Sequence, residues 1–460
     1  MRKILIASLG AGNKDRKYNK TNYKIEEKIY SNEMYVASAL EEHFKIDKTF
    51  YIGTLGSMWE NVYEHYCKKF QKEKNLEYEE ELFYKMIKFL DSSVEDKENY
   101  SLDLIDFSEL ISTFDNKIIP IITYYGVNNR EIFKNFNSIL SIVNELEDGD
   151  KLYLDITHSF RSNAFWIFLV MNYVNDVIDR KITIEYISYG MFEAKEKNKD
   201  GTEITPVINL KIFFDFMKWI KGAYTLKNFG NSELICELLE DEKIKNKVSN
   251  LSNALNMNYI SSLKKSIDSL EKNYELISNI DGPAKLIIPK VVSEFLEHFK
   301  GVDKEYELYL KLAKWHYKEK RYSISYINAQ EAFVTYSEAN GFGSIDENIE
   351  KSKDKREVKN DMLKLSFEIF EKSKDKLKIN FIFKKKYTKI FDSKTQGLLK
   401  KFFENYEHCR KIRNNISHSL ETRLNPEADI ISLEKILNFL EEIFKEKEFL
   451  KKCKERIELE

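Results

Sequence analysis

The stretch Leu152-Tyr153-Leu154-Asp155-Ile156-Thr157-His158-Ser159-Phe160-Arg161-Ser162, followed at once by the apolar run Asn163–Val174, decides how the front half of this chain is read. A short apolar run, a polar turn and an apolar helical stretch make one strand-to-helix unit. In open α/β sheets such turns lie at the carboxyl edge of the strands, where ligands bind. Backbone N–H groups at the start of the helix, joined by Thr157, Ser159 and Arg161, offer a cradle for phosphate.

Further short apolar runs bounded by turn residues recur at Ile4–Ser8, Thr49–Ile52, Ile118–Tyr124 and Ile182–Tyr189, with amphipathic stretches such as Met34–His43 and Ile132–Leu146 between them. That alternation predicts a Rossmann-like α/β domain, a mostly parallel sheet wrapped by helices. Lys195–Thr202 reads as a hairpin tip that closes the sheet with an antiparallel edge. The charged region Lys68–Glu109 reads as helical at first and then solvated, an insertion. Two more glycine-containing turns fall at the same sheet edge, Ser8-Leu9-Gly10-Ala11-Gly12-Asn13 and Ile52-Gly53-Thr54-Leu55-Gly56-Ser57-Met58-Trp59. Three small-residue turns on one edge point to an anionic, nucleotide-like ligand. Trp59 itself reads as a helix-packing residue.

From about Leu210 onward apolar residues recur at three- and four-residue spacing, which predicts an all-α second half. Helices are expected over Ile244–Leu270, Pro283–Phe299, Tyr306–Tyr317, Tyr322–Tyr336, Met362–Phe370 and Leu398–Ile412, with punctuation at Gly230-Asn231-Ser232 and Asp281-Gly282-Pro283. Asn340–Ser344 and the charged run to Lys359 read as a loop, and Trp315 and His316 as core. The expected domains are 1–210, ligand-sensing, and 211–460, helical.

Length and charge bound the function. A chain of 460 residues is too long for one ordinary core, and a formal net charge of -2 with 33% charged residues excludes a global positive field for nucleic acid. Any RNA contact is therefore local, and the basic run Phe383-Lys384-Lys385-Lys386-Tyr387 reads as a solvated face. Cys67, Cys236, Cys409 and Cys453 stand at no metal-ligand spacing and read as free thiols of a reducing cytoplasm. The first apolar run is too short for a signal peptide, and nowhere do about 18 apolar residues follow one another, so no membrane helix is expected.

Reactive residues in the helical half concentrate at Arg413-Asn414-Asn415-Ile416-Ser417-His418. RNA carries its own nucleophile in the 2′-hydroxyl, so a catalyst needs only proton transfer and stabilisation of the extra negative charge. Arg413 would hold the phosphoryl oxygens and His418 would move the proton, without metal, leaving a 2′,3′-cyclic phosphate and a 5′-hydroxyl. Side chains five apart on a regular helix diverge by about 140°. Either the helix is distorted over Asn414–Ser417 or two chains share one cleft. The plainer alternative pairs Arg413 with a nearby acid such as Glu407 and leaves His418 as a helix cap.

Three motifs together resemble a known family. Asp-x-Thr-His-Ser-Phe-Arg at 155–161, Gly-Thr-x-x-Ser-x-Trp at 53–59 and Arg-Asn-x-x-x-His at 413–418 are similar to the CARF–HEPN ribonucleases of type III CRISPR systems, over both halves and in the right order. The resemblance implies a CARF domain that binds cyclic oligoadenylate, with the four-adenylate ring favoured, and a HEPN domain that cleaves single-stranded RNA as a homodimer or an assembly of dimers. It puts messenger contacts on Ser8, Gly10, Gly12, Asn13, Thr157, His158, Ser159, Phe160 and Arg161, with Ser159 where the motif usually has glycine. Catalysis falls to Arg413 and His418, with Asn414 beside the arginine, and no resident cofactor or metal is implied. Two rival readings are a nucleotide sensor without nuclease activity and a sensor that degrades its own messenger through Thr157 and His158.

Overall fold

Among the described residues of the front unit the strands are β1 (Lys3–Leu9), β2 (Thr21–Ile25), β3 (Lys28–Glu33), β4 (Lys48–Thr54), β5 (Ile118–Thr123), β6 (Lys151–Asp155), β7 (Thr183–Gly190), β8 (Glu196–Lys197) and β9 (Glu203–Asn209). They come from a computed structural model that describes residues 1–11, 20–54, 56–74, 81, 116–158, 161–178, 180–198, 201–340, 393–418, 425–446 and 449. In β1 every residue after the first is buried, as a strand covered on both faces requires. The sheet order is β3-β2-β9-β7-β6-β1-β4-β5, with β8 paired to β9. β7, β6, β1, β4 and β5 are parallel neighbours, which is the expected Rossmann-like core.

The hairpin expected around Lys195–Thr202 is present: β9 runs antiparallel to β7 and to β8. It does not form the sheet edge. β2 pairs with β9 in parallel and β3 lies beyond it, so the sheet continues through a segment not singled out in the sequence. Thr21–Ile25 alternates buried and half-buried residues, the pattern of a strand covered on one face. Its turn to β3 is Glu26-Glu27, with Glu26 in the left-handed region at φ 52°.

Helices α1 (Val36–Phe44), α2 (Trp59–Lys74), α3 (Asn129–Leu140) and α4 (Arg161–Val177) flank the sheet. One apolar layer joins β1, β4, α1 and α2 through Leu5, Tyr51, Leu40 and Trp59. The opposite layer joins β1, β6, α3 and α4 through Ile6, Leu154, Ile139 and Val170. α3 starts where Asn128 Oδ1 accepts the Glu131 N–H, one of the helix's first donors, while the Glu131 carboxylate accepts the N–H groups of Gly126 and Val127 in the turn before it.

The chain divides into units Met1–Phe216 and Met217–Glu460. After α5 (Lys211–Phe229), the second unit contains α6 (Glu242–Asn256), α7 (Ile260–Lys272), α8 (Ala284–Phe299), α9 (Glu305–Lys318), α10 (Tyr322–Ala339), α11 (Ser393–Ser417) and α12 (Pro426–Lys445). No strand occurs among its described residues. The single helix expected over Ile244–Leu270 is two, α6 and α7, because Asn258 takes φ 54° between them. α10 is buried along most of its length, and Phe333 packs on Phe402 and Tyr406 of α11. Trp315 and His316 are core, as expected, and burial depresses the imidazole of His316 to about 3. Met362–Phe370, Phe383–Tyr387, the loop after Asn340 and the solvated part of Lys68–Glu109 lie outside the described residues.

Candidate functional site

β1 is the strand from which the sheet extends both ways, through β4 and β5 on one side and through β6 and β7 on the other. The gap between β1 and β6 is therefore the switch point at which such sheets take ligands. Register sets Ala7 opposite Asp155, so Ser8 follows one step beyond at the same carboxyl edge. Asp155 is 1% exposed. Its Oδ1 accepts hydrogen bonds from the Thr157 N–H at 3.1 Å, the Thr157 hydroxyl at 2.5 Å and the Ser188 hydroxyl at 3.0 Å. Its Oδ2 and the hydroxyl of Ser8 are buried and make no hydrogen bond among the described residues. Burial raises the Asp155 carboxyl to about 6, against the opposing pull of Thr157 and Ser188.

Thr157 is a bridge within the protein. While its hydroxyl donates to Asp155 it also accepts the Gly190 N–H at 2.9 Å, which locks the turn after β6 to the end of β7. Gly190 is needed for that approach, since a Cβ there would stand 2.9 Å from Val36 Cγ2 and 3.1 Å from Thr157 Cγ2. His158 meets Tyr35 edge-on at 6.2 Å, and burial lowers it to about 4. His65, edge-on to the same tyrosine, is lowered to about 4 by burial first and then by Lys69, Lys20 and Lys68. Both imidazoles are neutral at pH 7, so neither supplies positive charge for a phosphate.

The turn after β4 buttresses the end of β1. Ser57 Oγ donates to the Leu9 carbonyl at 2.8 Å, and the Met58 N–H donates to the Gly10 carbonyl at 3.1 Å. Trp59 is fully buried and donates its indole N–H to the Thr54 carbonyl at 2.8 Å, the packing role its sequence suggested. Of the residues expected to contact a messenger, Ser8, Gly10, Thr157 and His158 gather at this edge, and Arg161 opens α4. Gly12, Asn13, Ser159 and Phe160 lie outside the described residues. Sequence reasoning did not place Asp155, Ser188 or Gly190 in the site. The signal was available: a carboxylate ending an apolar strand, and Ser-Tyr-Gly ending the strand beside it.

In the second unit Phe402, Tyr406, Cys409 and Ile412 turn one face of α11 into the core, and burial pushes the Cys409 thiol well up. Arg413 and Asn414 are half-buried, and an Arg413 guanidinium N–H donates to Asn414 Oδ1 at 3.0 Å. Asn414 thus orients the guanidinium. Glu407 does not take the part the plainer alternative gave it, because it holds Arg410 by two contacts of 2.8 Å. His418 is exposed, and its N–H donates to the Asn414 carbonyl at 3.0 Å. The helical ladder therefore reaches His418, and the distortion considered over Asn414–Ser417 is absent. On so regular a helix Arg413 and His418 point about 140° apart.

A Rossmann-like sheet whose switch-point edge carries buried polar groups, followed by an all-α unit, defines a class of two-part proteins in which an α/β domain precedes a helical one. Comparison with known proteins makes the class specific. Residues 4–193 match the CARF domain of the CRISPR system endoribonuclease Csx1, and residues 215–304 match the second domain of the CRISPR-associated protein MJ1674. The chain belongs to the CRISPR-associated CARF proteins. It is 30% identical to CRISPR-associated protein MJ1674 of Methanocaldococcus jannaschii over 96% of its own length and 66% of that protein's, so it spans about two thirds of that relative. Among solved structures, Enterococcus italicus Csm6 bound to cyclic hexa-2′-fluoro-hexa-dAMP aligns with 96% of this chain and 93% of that one, at 12% identity and a TM-score of 0.39. Among the described residues no helix is long and apolar enough to cross a membrane.

Proposed function

We propose that this chain is a cyclic oligoadenylate-activated endoribonuclease of type III CRISPR defence, with a HEPN-type helical part that cleaves single-stranded RNA by attack of the substrate's own 2′-hydroxyl. The observation that carries this reading is the end of α11, where Asn414 holds the Arg413 guanidinium and His418 stands exposed. Arg413 stabilises the charge that develops on the phosphoryl oxygens, and His418 transfers the proton. Because one straight helix cannot aim both at a single phosphate, each cleft takes Arg413 from one copy and His418 from another.

The messenger binds between β1 and β6. Asp155 Oδ2 and the Ser8 hydroxyl, both without a hydrogen-bond partner among the described residues, are suited to ribose hydroxyls or adenine amino groups. Leaving either unpaired costs about 1–3 kcal/mol, which a ligand donor returns on binding. Thr157 shapes the turn, and the first N–H groups of α4, from Arg161 on, are suited to phosphate. Phe165 and Leu169, one helical turn apart on α4, are 78% and 51% exposed and give two copies an apolar face to share. Messenger binding then shifts the population toward the arrangement that cleaves.

The experiment is direct. Labelled single-stranded RNA is incubated with the full chain, with and without cyclic tetraadenylate and in EDTA. Activator-dependent cleavage that survives EDTA and disappears in Arg413→Ala and His418→Ala, both still binding the messenger, is the expected result. Messenger binding without cleavage would leave a sensor that docks through its helices, and cleavage by either variant would refute the catalytic pair. The 2.5 Å contact between Thr157 and the raised carboxyl of Asp155 favours a second reading, in which this edge also degrades its messenger. Chromatography of the adenylate after long incubation decides it.

A further inference from the structure

Between α6 and α7 lies a groove of about 910 Å³, wholly within the second unit and away from α11 in sequence. Lysine, asparagine and serine make up most of its lining, and neither Asp nor Glu is among the lining residues. That is notable in a chain whose acids, 76, outnumber its 74 lysines and arginines. The pattern is regular on both walls. On α6 Asn246, Asn250 and Asn253 recur at helical spacing, flanked by Lys243 and Lys247. On α7 Ser262, Ser266 and Ser269 recur at the same spacing, with Lys265 among them. The other faces of both helices are apolar and buried, through Ile244, Val248 and Leu251 and through Leu263, Ile267 and Leu270. Lys247 Nζ donates to the Ser269 hydroxyl at 3.0 Å, so the two walls are tied across the groove. At the end where the helices join, Tyr259 and Met257 are each 58% exposed.

We infer that this groove is a docking track for the single-stranded RNA substrate, an inference that rests on the ribonuclease reading above. Lysines meet phosphates, asparagine amides and serine hydroxyls meet ribose and base edges, and the open ring of Tyr259 gives an unpaired base a face to stack on. The polar row from Lys243 to Asn253 runs roughly 15 Å along α6, long enough to follow a backbone rather than cap one phosphate. A chain with no net positive charge needs such a local track.

The test uses the full chain in a His418→Ala background, so that RNA is bound without being cut. Binding of a fluorescent single-stranded RNA is followed by anisotropy at several salt concentrations, against a DNA duplex of equal length. Lys243→Glu, Lys247→Glu and Lys265→Glu combined should weaken RNA binding at least tenfold and flatten the logarithmic salt dependence by about 2, since each phosphate contact contributes about 0.7 for a single strand. Tyr259→Ala, which leaves the charges in place, should weaken the single strand about fivefold or more and leave the duplex unchanged. Unaltered RNA affinity and salt slope in the charge-reversed protein, with its thermal unfolding unchanged, would overturn the inference, as would absence of RNA binding in the parent. An equal loss on duplex and single strand from Tyr259→Ala would also overturn it, reducing the groove to a general phosphate patch. Failure of the ribonuclease reading is read elsewhere, as absence of cleavage by the wild-type chain.

Discussion

Replacing Asp155 by asparagine removes one charge and almost nothing else. The amide oxygen can still accept from Thr157 and Ser188, and its nitrogen occupies the place of an oxygen that had no partner among the described residues. The wild-type carboxyl is raised from 3.8 to about 6 by burial. Between those values the folded protein holds a proton that the unfolded chain has released. The contribution of Asp155 is therefore fully present below the unfolded value and is lost as pH rises through the folded one. The shift is about two units, so wild-type stability should fall by about 3 kcal/mol relative to Asp155→Asn between about pH 4 and pH 6, and by little more above. Other carboxylates that titrate in this range are common to both proteins and cancel in the difference. Urea unfolding followed by tryptophan fluorescence at half-unit pH steps measures it, with Trp59 as a buried reporter in the same unit. The variant should match the wild type at low pH and exceed it at pH 7. A stability difference that does not vary with pH would refute the buried, raised carboxyl and the ligand role built on it.

Two further outcomes follow from packing. Gly190→Ala should cost about 1–3 kcal/mol, because its Cβ would stand 2.9 Å from Val36 and press on the Thr157 turn; urea unfolding reads the loss, and messenger affinity should fall with it. Phe165→Glu with Leu169→Lys should turn a dimer into monomers in light scattering after size exclusion while the circular dichroism of the folded chain stays unchanged, because both side chains are exposed in the single chain. Unchanged mass would show that α4 is not the shared face.

The parallel core was legible because its strands are short apolar runs punctuated by turns, and β1, β4 and β6 are covered on both faces as such runs demand. β2 and β3 were not. Their turn is Glu26-Glu27 rather than the Asn-Gly or Asp-Gly that announces a hairpin, and their alternation is interrupted by charged residues on the open face. The break between α6 and α7 was hidden for a similar reason: only the left-handed backbone of Asn258 interrupts the apolar spacing across it. At the ligand edge the motif located the turn but not the division of labour within it. A threonine and a histidine in a polar turn read naturally as ligand contacts. That Thr157 is already engaged depends on Gly190, some thirty residues away, and spacing along the chain carries no information about that.

The same limit applies at the other end of the chain, and there the geometry gives the sharper test. Arg413 and His418 share a straight helix, so a cleft that uses both must be composite. Mix inactive Arg413→Ala protein with inactive His418→Ala protein, let subunits exchange, and add cyclic oligoadenylate. Random exchange makes half of the dimers mixed, and a mixed dimer pairs the intact Arg413 of one copy with the intact His418 of the other at one of its two clefts, so about one quarter of the wild-type rate should return. A cleft made within one chain would restore nothing, since every chain in the mixture lacks one of the two groups. Recovery on mixing thus separates the two architectures without any further structure. Its absence, in a sample shown by mass spectrometry to contain mixed dimers, would mean that the pair acts within a chain and that α11 must bend after Asn414 when RNA binds.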